Sequence, residues 1–202
     1  MILSAIVTFL SVAVYGLIHS LMASLPVKAW ARRQFGLAAD RYYRIVFNWV
    51  GLLAFLPVMA LAAALPGKTL YRLHLPWILL TLGLQFCAVL VVAVGVMQMG
   101  AASFLGLRQL TTPADTAAAH LVTAGLYRFV RHPLYTAGLL FIWASPVMTT
   151  NLLAMYIGAT IYFVVGSLHE EYRMRREFGD AYREYCQRTP MLIPFSWRRS
   201  QR

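Results

Sequence analysis

The polar positions of this chain come in blocks rather than in alternation. Residues 2–25 hold no formally charged side chain, and further apolar runs occupy about 45–65, 75–99, 134–148 and 152–168, each bounded by charged or turn-forming stretches. At about 1.5 Å per helical residue, the first run crosses a hydrocarbon core of about 30 Å. The last two runs are short and meet at Thr149-Thr150-Asn151, which predicts a tight hairpin of spans. Between the first two runs, 26–44 interleaves Val27, Ala29, Trp30, Phe35 and Leu37 with Lys28, Arg32, Arg33, Arg41 and Arg44, the pattern of a short interfacial helix. Beyond Leu168 the chain turns charged. At 100° per residue Leu168, Tyr172, Met174, Phe178, Tyr182, Tyr185 and Cys186 share one broad face, and Arg173, Arg176, Glu177, Asp180 and Glu184 point away. The expected architecture is all-α: a polytopic helical membrane protein of about five transmembrane helices with a C-terminal cytoplasmic amphipathic helix.

Composition agrees with that pattern and charge orients it. The chain is 60% hydrophobic and 12% charged, outside the range of ordinary soluble domains. A cleavable leader would need a basic start and a shorter apolar core, and Met1 to Ser4 offers no basic side chain, so the first run is read as a retained span. All lysines and arginines except Lys68 and Arg72 fall in 26–44, 100–132 or the tail, which five spans place on one side. Basic residues near span ends stay in the cytoplasm. The N-terminus is therefore expected outside and the C-terminus in the cytoplasm, with the chain in the inner membrane if the cell is bacterial. The net charge of +11 then needs no nucleic acid and suits anionic lipid headgroups as partners.

Candidate chemistry concentrates in two places. In 125–138, Pro133 lacks an amide proton and suits the first turn of a helix starting near His132. Free amides and the helix dipole make that start an anion site, with Arg128 and Arg131 adding charge. Gly138, one turn beyond Leu134, leaves room for a ligand or a neighbouring backbone. In the tail helix Glu171 falls on the apolar face with Arg175 one turn later, while Glu170 lies toward the solvated side. Glu171 and Arg175 form either an ordinary i,i+4 ion pair or part of a ligand site. His19, Asn48 and Gln98 share one depth in the cytoplasmic half, which fits a polar cavity or three separate interhelical bonds. Cys87 and Cys186 are not expected to pair, and His120, His132, His169 and His74 lack ligand-like spacing, so no metal is expected.

The order Arg131-His132-Pro133-x-Tyr135-x-x-Gly138, an apolar hairpin, Glu170-Glu171, Phe178-Gly179-x-x-Tyr182-x-x-Tyr185 and Pro190-x-x-Ile193-Pro194 resembles the isoprenylcysteine carboxyl methyltransferase and phospholipid methyltransferase superfamily of membrane enzymes. Met174 stands where that family more often has leucine. The front half, with His19-Ser20-x-x-Ala23 and Arg41-Tyr42-Tyr43-Arg44, is similar to the methanethiol S-methyltransferase and NnrU-like branch. The resemblance implies S-adenosylmethionine as cofactor and in-line transfer of its methyl group. It further implies that the His132 helix start with Pro133 and Arg131 takes the cofactor carboxylate, and that Glu171 with Glu170 holds its amino or hydroxyl groups. Tyr127, Tyr135, Tyr182 and Tyr185 would line the pocket and Gly138 would admit the cofactor. Glu171, Arg175 and His19 form the expected catalytic set. Residues 1–118 would shape the acceptor side and 119–195 the cofactor core of one membrane domain. The acceptor is lipid-borne or small and apolar, a carboxylate, thiol or amine. Two alternatives stand beside this one: an NADPH-dependent membrane reductase of the same superfamily, with Arg173, Arg175 and Arg176 for a 2′-phosphate, and a non-catalytic membrane accessory protein.

Overall fold

The computed structural model describes residues 1–111 and 121–194. In chain order these form α1 (Ile2–Ala23), α2 (Leu25–Phe35), α3 (Leu37–Ala64), β1 (Thr69–Arg72), α4 (Trp77–Gln98), the short α5 (Ala101–Leu105) and α6 (Arg108–Thr111), a 3₁₀ turn (Gly125–Arg128), α7 (Pro133–Trp143), β2 (Val147–Thr149) and α8 (Thr150–Arg188). Helices α1, α3, α4 and α8 are long and apolar enough to cross a membrane, and α7 is a shorter apolar helix. The expected boundary at 118/119, His120, and Arg198, Arg199 and Arg202 lie outside the described residues.

The helices carry their bulk outward. Leu79, Leu80, Phe86 and Val89 of α4 are exposed while its Ala88 and Gly95 are buried, and α1 likewise exposes Leu10 and Leu17 around a buried Gly16. Lipid tails satisfy large apolar side chains, so small residues are left to make the close helix contacts.

The chain divides into two compact units. The first contains α1, α2, α3, β1, α5, α6, β2 and the start of α8 up to Tyr162. Its core is Val12 of α1, Val58 and Ala62 of α3, and Met155 of α8. Ser24, in extended conformation, ends α1, and Pro26 starts the next helix in its first turn. Gly36 at φ 54° then separates α2 from α3. The interfacial segment expected over 26–44 is thus the 11-residue α2, and its remainder already belongs to α3. β1 and β2 pair antiparallel, Tyr71 with Met148 and Arg72 with Val147. Buried Asn151 donates from Nδ2 to the Leu65 carbonyl at 2.9 Å, tying the start of α8 to the end of α3.

The second unit contains α4, the 3₁₀ turn, α7 and the remainder of α8 with its tail. α4 and α7 run antiparallel: the Leu134 side chain lies against Gly95, and Gln85 Nε2 donates to the Phe141 carbonyl at 3.0 Å. Gln98 Oε1 accepts from the Leu126 amide at 3.2 Å and so holds the 3₁₀ turn.

Two helical expectations fail for local reasons. The apolar run read as helix through 148 stops at Trp143, because Pro146 disfavours helical backbone in the residue before it, and Val147–Thr149 becomes β2. The turn joining α7 to α8 therefore lies before Thr150, and Thr150 and Asn151 open α8. The tail is not one amphipathic helix either. Gly179 adopts φ 54°, ψ −124°, a backbone that side-chain-bearing residues avoid, and breaks α8 there. On a straight helix the 11 residues from Glu171 to Tyr182 would span about 16 Å. The Tyr182 hydroxyl instead lies 2.8 Å from the Glu171 carboxylate. The expected shared face is correspondingly split: Leu168 and Tyr172 are exposed, whereas Tyr182 and Tyr185 are buried.

Candidate active site

Pro133 fixes the first turn of α7 and sets His132 as its cap, which points Arg131 and His132 at the part of α8 that carries Glu170 and Glu171. The Arg131 guanidinium forks onto Glu171, Nε to Oε1 at 2.7 Å and Nη2 to Oε2 at 2.9 Å. Its Nη1 donates to the carbonyls of Thr189 and Cys186. Glu171 Oε1 also accepts from the Tyr182 hydroxyl at 2.8 Å and lies 3.0 Å from His132 Nε2. The Cys186 thiol stands 3.7 Å from Oε2. Both partners of the fork are sealed, with 10% of the Arg131 side chain and 6% of that of Glu171 exposed. Burial works against the charge on Arg131, but the Glu171 hydrogen bonds and charge outweigh it and hold its pKa above the ordinary guanidinium value.

The tail closes the other side of this pair. The Arg131 amide donates to the Pro190 carbonyl at 2.9 Å, the His132 amide to that of Met191 at 3.1 Å, and Thr136 Oγ1 to that of Leu192 at 2.6 Å. The anion site expected at the helix start is therefore filled by the chain itself, through Glu171 and the tail carbonyls. Nothing in the sequence apart from Pro190 and Pro194 marked these tail residues, because carbonyl acceptors carry no residue signature.

Groups at the rim remain open. Glu170 is about one-third exposed, with Oε2 3.5 Å from His132 Nδ1 and Oε1 3.8 Å from Arg173. His132 thus bridges the two carboxylates. Arg175 reaches to 3.7 Å from Glu171 Oε2 while 58% of its side chain is exposed. The Tyr185 hydroxyl donates to the Tyr127 carbonyl. Burial, with the Glu170 charge second, raises the Tyr127 pKa above its ordinary value. The Tyr135 ring packs 5.6 Å from His132 and 5.8 Å from Phe163. A Cβ on Gly138 would lie 3.0 Å from the Phe163 ring, so that glycine admits a neighbouring side chain in this structure.

The structure therefore gathers Tyr127, Arg131, His132, Pro133, Tyr135, Gly138, Glu170, Glu171, Arg175, Tyr182 and Tyr185 in the second unit. His19 belongs to the first, where its Nδ1 is 2.8 Å from the Tyr162 hydroxyl. Asn48, also in the first unit, donates to the Phe104 carbonyl at 3.1 Å, and Gln98 is the support of the 3₁₀ turn. Among the described residues no group of His, Cys, Asp and Glu is arranged to hold a metal ion.

The sequence model of the phospholipid methyltransferase family matches residues 77–181. Methanethiol S-methyltransferase 1 of Bradyrhizobium diazoefficiens is 31% identical over 98% of this chain and 68% of its own length. The methanethiol S-methyltransferase of Crocosphaera subtropica is 27% identical over 93% of this chain and 73% of its own. Protein-S-isoprenylcysteine O-methyltransferase B of Arabidopsis thaliana is 35% identical over 37% of this chain and 40% of its own. No solved structure matches.

Proposed function

This chain belongs to the phospholipid methyltransferase family and is a membrane methyltransferase, and from that premise we propose that it moves the methyl group of S-adenosylmethionine to a small thiol. The observation that carries the choice of acceptor is the extent of the likeness. Similarity to the Bradyrhizobium and Crocosphaera methanethiol S-methyltransferases runs through the front half as well, whereas similarity to the isoprenylcysteine enzyme covers 37% of the chain. On this reading 1–118 forms the acceptor side of one membrane domain and 119–195 the cofactor core.

The accessible donor set fits the cofactor. Its amino-acid end needs an acceptor for the ammonium and a cation for the carboxylate, and the one-third-exposed Glu170 and exposed Arg175 offer both at one rim. Arg131, His132, Glu171 and Tyr182 hold that rim rather than the ligand, since Glu171 already accepts from Arg131, Tyr182 and the Cys186 thiol and meets His132 Nε2. Tyr127, Tyr135 and Tyr185 supply aromatic walls and Gly138 the fit of Phe163. Bound S-adenosylmethionine supplies an electrophilic methyl on a sulfonium. The chain's contribution is to orient the reactants and exclude water.

The antiparallel course of α4 and α7, and the pairing of β1 with β2, support a fifth crossing. The 11 residues of α7 rise about 16 Å, and the extended strand β2 covers further depth at about 3.3 Å per residue. Five crossings and the near-confinement of Lys and Arg to one side give an outside N-terminus and a cytoplasmic C-terminus.

The test is methyl transfer by detergent-purified protein from labelled S-adenosylmethionine to ethanethiol, a prenylated cysteine or phosphatidylethanolamine. Labelled thioether from the thiol alone is the expected result. Labelling of the prenylcysteine or the lipid with none on the thiol would refute the acceptor assignment.

A further inference from the structure

On the second unit, the outer side of α8 carries an arrangement that methyl transfer does not use. Val165, Leu168, Tyr172 and Arg176 recur at helical spacing and share one side of the helix. Val165, Leu168 and Tyr172 each leave more than half of their surface exposed. On a helix long and apolar enough to cross a membrane, acyl chains meet such exposed aliphatic side chains, and a tyrosine ends the stripe at the headgroup layer. One turn on, the Arg176 guanidinium lies over the Tyr172 ring, 5.7 Å from its centroid and within reach of cation–π attraction. Among the described residues Arg176 has no ion-pair partner. Asp180, the acid one turn further along, is taken by Arg183 at 2.6 Å beyond the break at Gly179. Arg173, three positions before Arg176 and so its neighbour on the helix surface, reaches Glu170 at 3.8 Å with 53% of its side chain exposed. Two adjacent guanidinium groups repel each other unless an anion lies between them, and the stripe puts this pair where lipid phosphates are.

We propose that Arg176 and Arg173 hold the phosphate of an anionic phospholipid whose acyl chains lie along Leu168 and Val165. All of these residues stand on one helix of the second unit, and the assignment is independent of the acceptor and of the cofactor. A guanidinium presents paired N–H donors that match phosphate oxygens, and the Tyr172 ring limits the positions that the Arg176 group adopts. A choline headgroup brings its own cation to the same place, so the arginine pair favours a headgroup of net negative charge such as phosphatidylglycerol. Because Arg173 also reaches Glu170, the headgroup borders the candidate active site without entering it.

The experiment titrates detergent-purified protein with phosphatidylglycerol and, separately, with phosphatidylcholine, and reads the first bound lipid by native mass spectrometry. Wild type is expected to bind phosphatidylglycerol about tenfold more tightly than phosphatidylcholine. Arg173→Gln with Arg176→Gln is expected to weaken phosphatidylglycerol by about 10–30-fold, to leave phosphatidylcholine as it was, and to unfold at the wild-type midpoint, since both side chains are exposed. Arg183→Gln with Arg188→Gln removes the same net charge from exposed pairs with Asp180 and Glu184, and should bind phosphatidylglycerol as wild type does. Tyr172→Leu keeps both arginines but removes the ring, and should weaken phosphatidylglycerol by about threefold. Equal affinity of wild type for the two lipids overturns the proposal. So does an undiminished affinity for phosphatidylglycerol in Arg173→Gln with Arg176→Gln, or an equal loss in the Arg183 and Arg188 control. Displacement of the lipid by NADPH or S-adenosylhomocysteine at equal concentration would give the arginines to a nucleotide cofactor and overturn it as well.

Discussion

Glu171 lies just past the apolar stretch of α8 and His19 near the end of apolar α1, and the chain treats these two polar side chains in opposite ways. Around Glu171 the second unit gathers a forked guanidinium, an imidazole and a phenol, and the tail carbonyls complete the coordination of Arg131. Around His19 the first unit supplies one phenol and aromatic walls, and it leaves one ring nitrogen unengaged. A charge with every site filled serves as a framework. A group with one ring nitrogen held and the other without a hydrogen-bond partner among the described residues is not a framework of that kind. The same criterion separates neighbours within the second unit: Glu171 is sealed, while Glu170 beside it is about one-third exposed, which is the ground for assigning the ligand to Glu170 in the proposed function.

The comparison breaks most visibly at Glu171. Glu171→Gln removes the charge that Arg131 faces and leaves a buried guanidinium uncompensated, which costs about 3–5 kcal/mol when one partner of a buried pair is lost. A large fall in the unfolding midpoint in detergent is expected, with loss of S-adenosylhomocysteine binding. Glu177→Gln, at an exposed position of the same helix, should change neither. Replacing both partners, Arg131→Met with Glu171→Leu, should destabilise less than Glu171→Gln alone. If the single variant unfolds at the wild-type midpoint, Glu171 is not the framework.

Part of this was readable from the chain. The Arg131-His132-Pro133 stretch and Glu170-Glu171 stood out because charges are rare near apolar runs, and the structure brings them together. Who pairs with whom was not readable. Arg131 looked free for a ligand carboxylate because its partners, Glu171 and the carbonyls of Cys186 and Thr189, converge only after α8 breaks at Gly179. That break was hidden because residues on both sides of Gly179 fit one 100° periodicity. The available hint was the glycine itself, which costs about 1 kcal/mol inside a helix and so has a reason to be there. The end of α7 was hidden differently: the hydropathy of 134–148 is continuous, and only Ser145-Pro146 signalled the change to strand.

The break itself can be tested against a twin. Gly179 and Gly36 adopt nearly the same backbone, φ 54° at both with ψ −124° and −132°, and a Cβ at either would meet nothing within 4 Å. Alanine at each position therefore adds backbone strain alone, about 1–3 kcal/mol. Both variants should lower the unfolding midpoint by similar amounts. Only Gly179→Ala moves Tyr182 and the tail away from Glu171 and Arg131, so only it should weaken S-adenosylhomocysteine binding. Equal affinity in the two variants would separate the break in α8 from the site.

The smallest effect on stability belongs to Arg175, and for that reason it discriminates best between framework and ligand contact. Its guanidinium stands 3.7 Å from Glu171 Oε2 with 58% of the side chain exposed, a geometry in which an ion pair contributes about 0–1 kcal/mol. Glu171 keeps its bonds from Arg131, His132 and Tyr182 when Arg175 is removed, so Arg175→Gln should leave the unfolding midpoint where it was. Binding should respond differently. If Arg175 meets the cofactor carboxylate, the lost charge-assisted bond is worth about 1.5–3 kcal/mol, a tenfold or greater rise in the Kd for S-adenosylhomocysteine. Arg183→Gln, which gives up an exposed pair with Asp180, controls for net charge and should leave the Kd unchanged. An unchanged Kd in Arg175→Gln would leave Glu170 as the only rim group proposed for the amino-acid end, and would place Arg175 with the ordinary helix ion pairs.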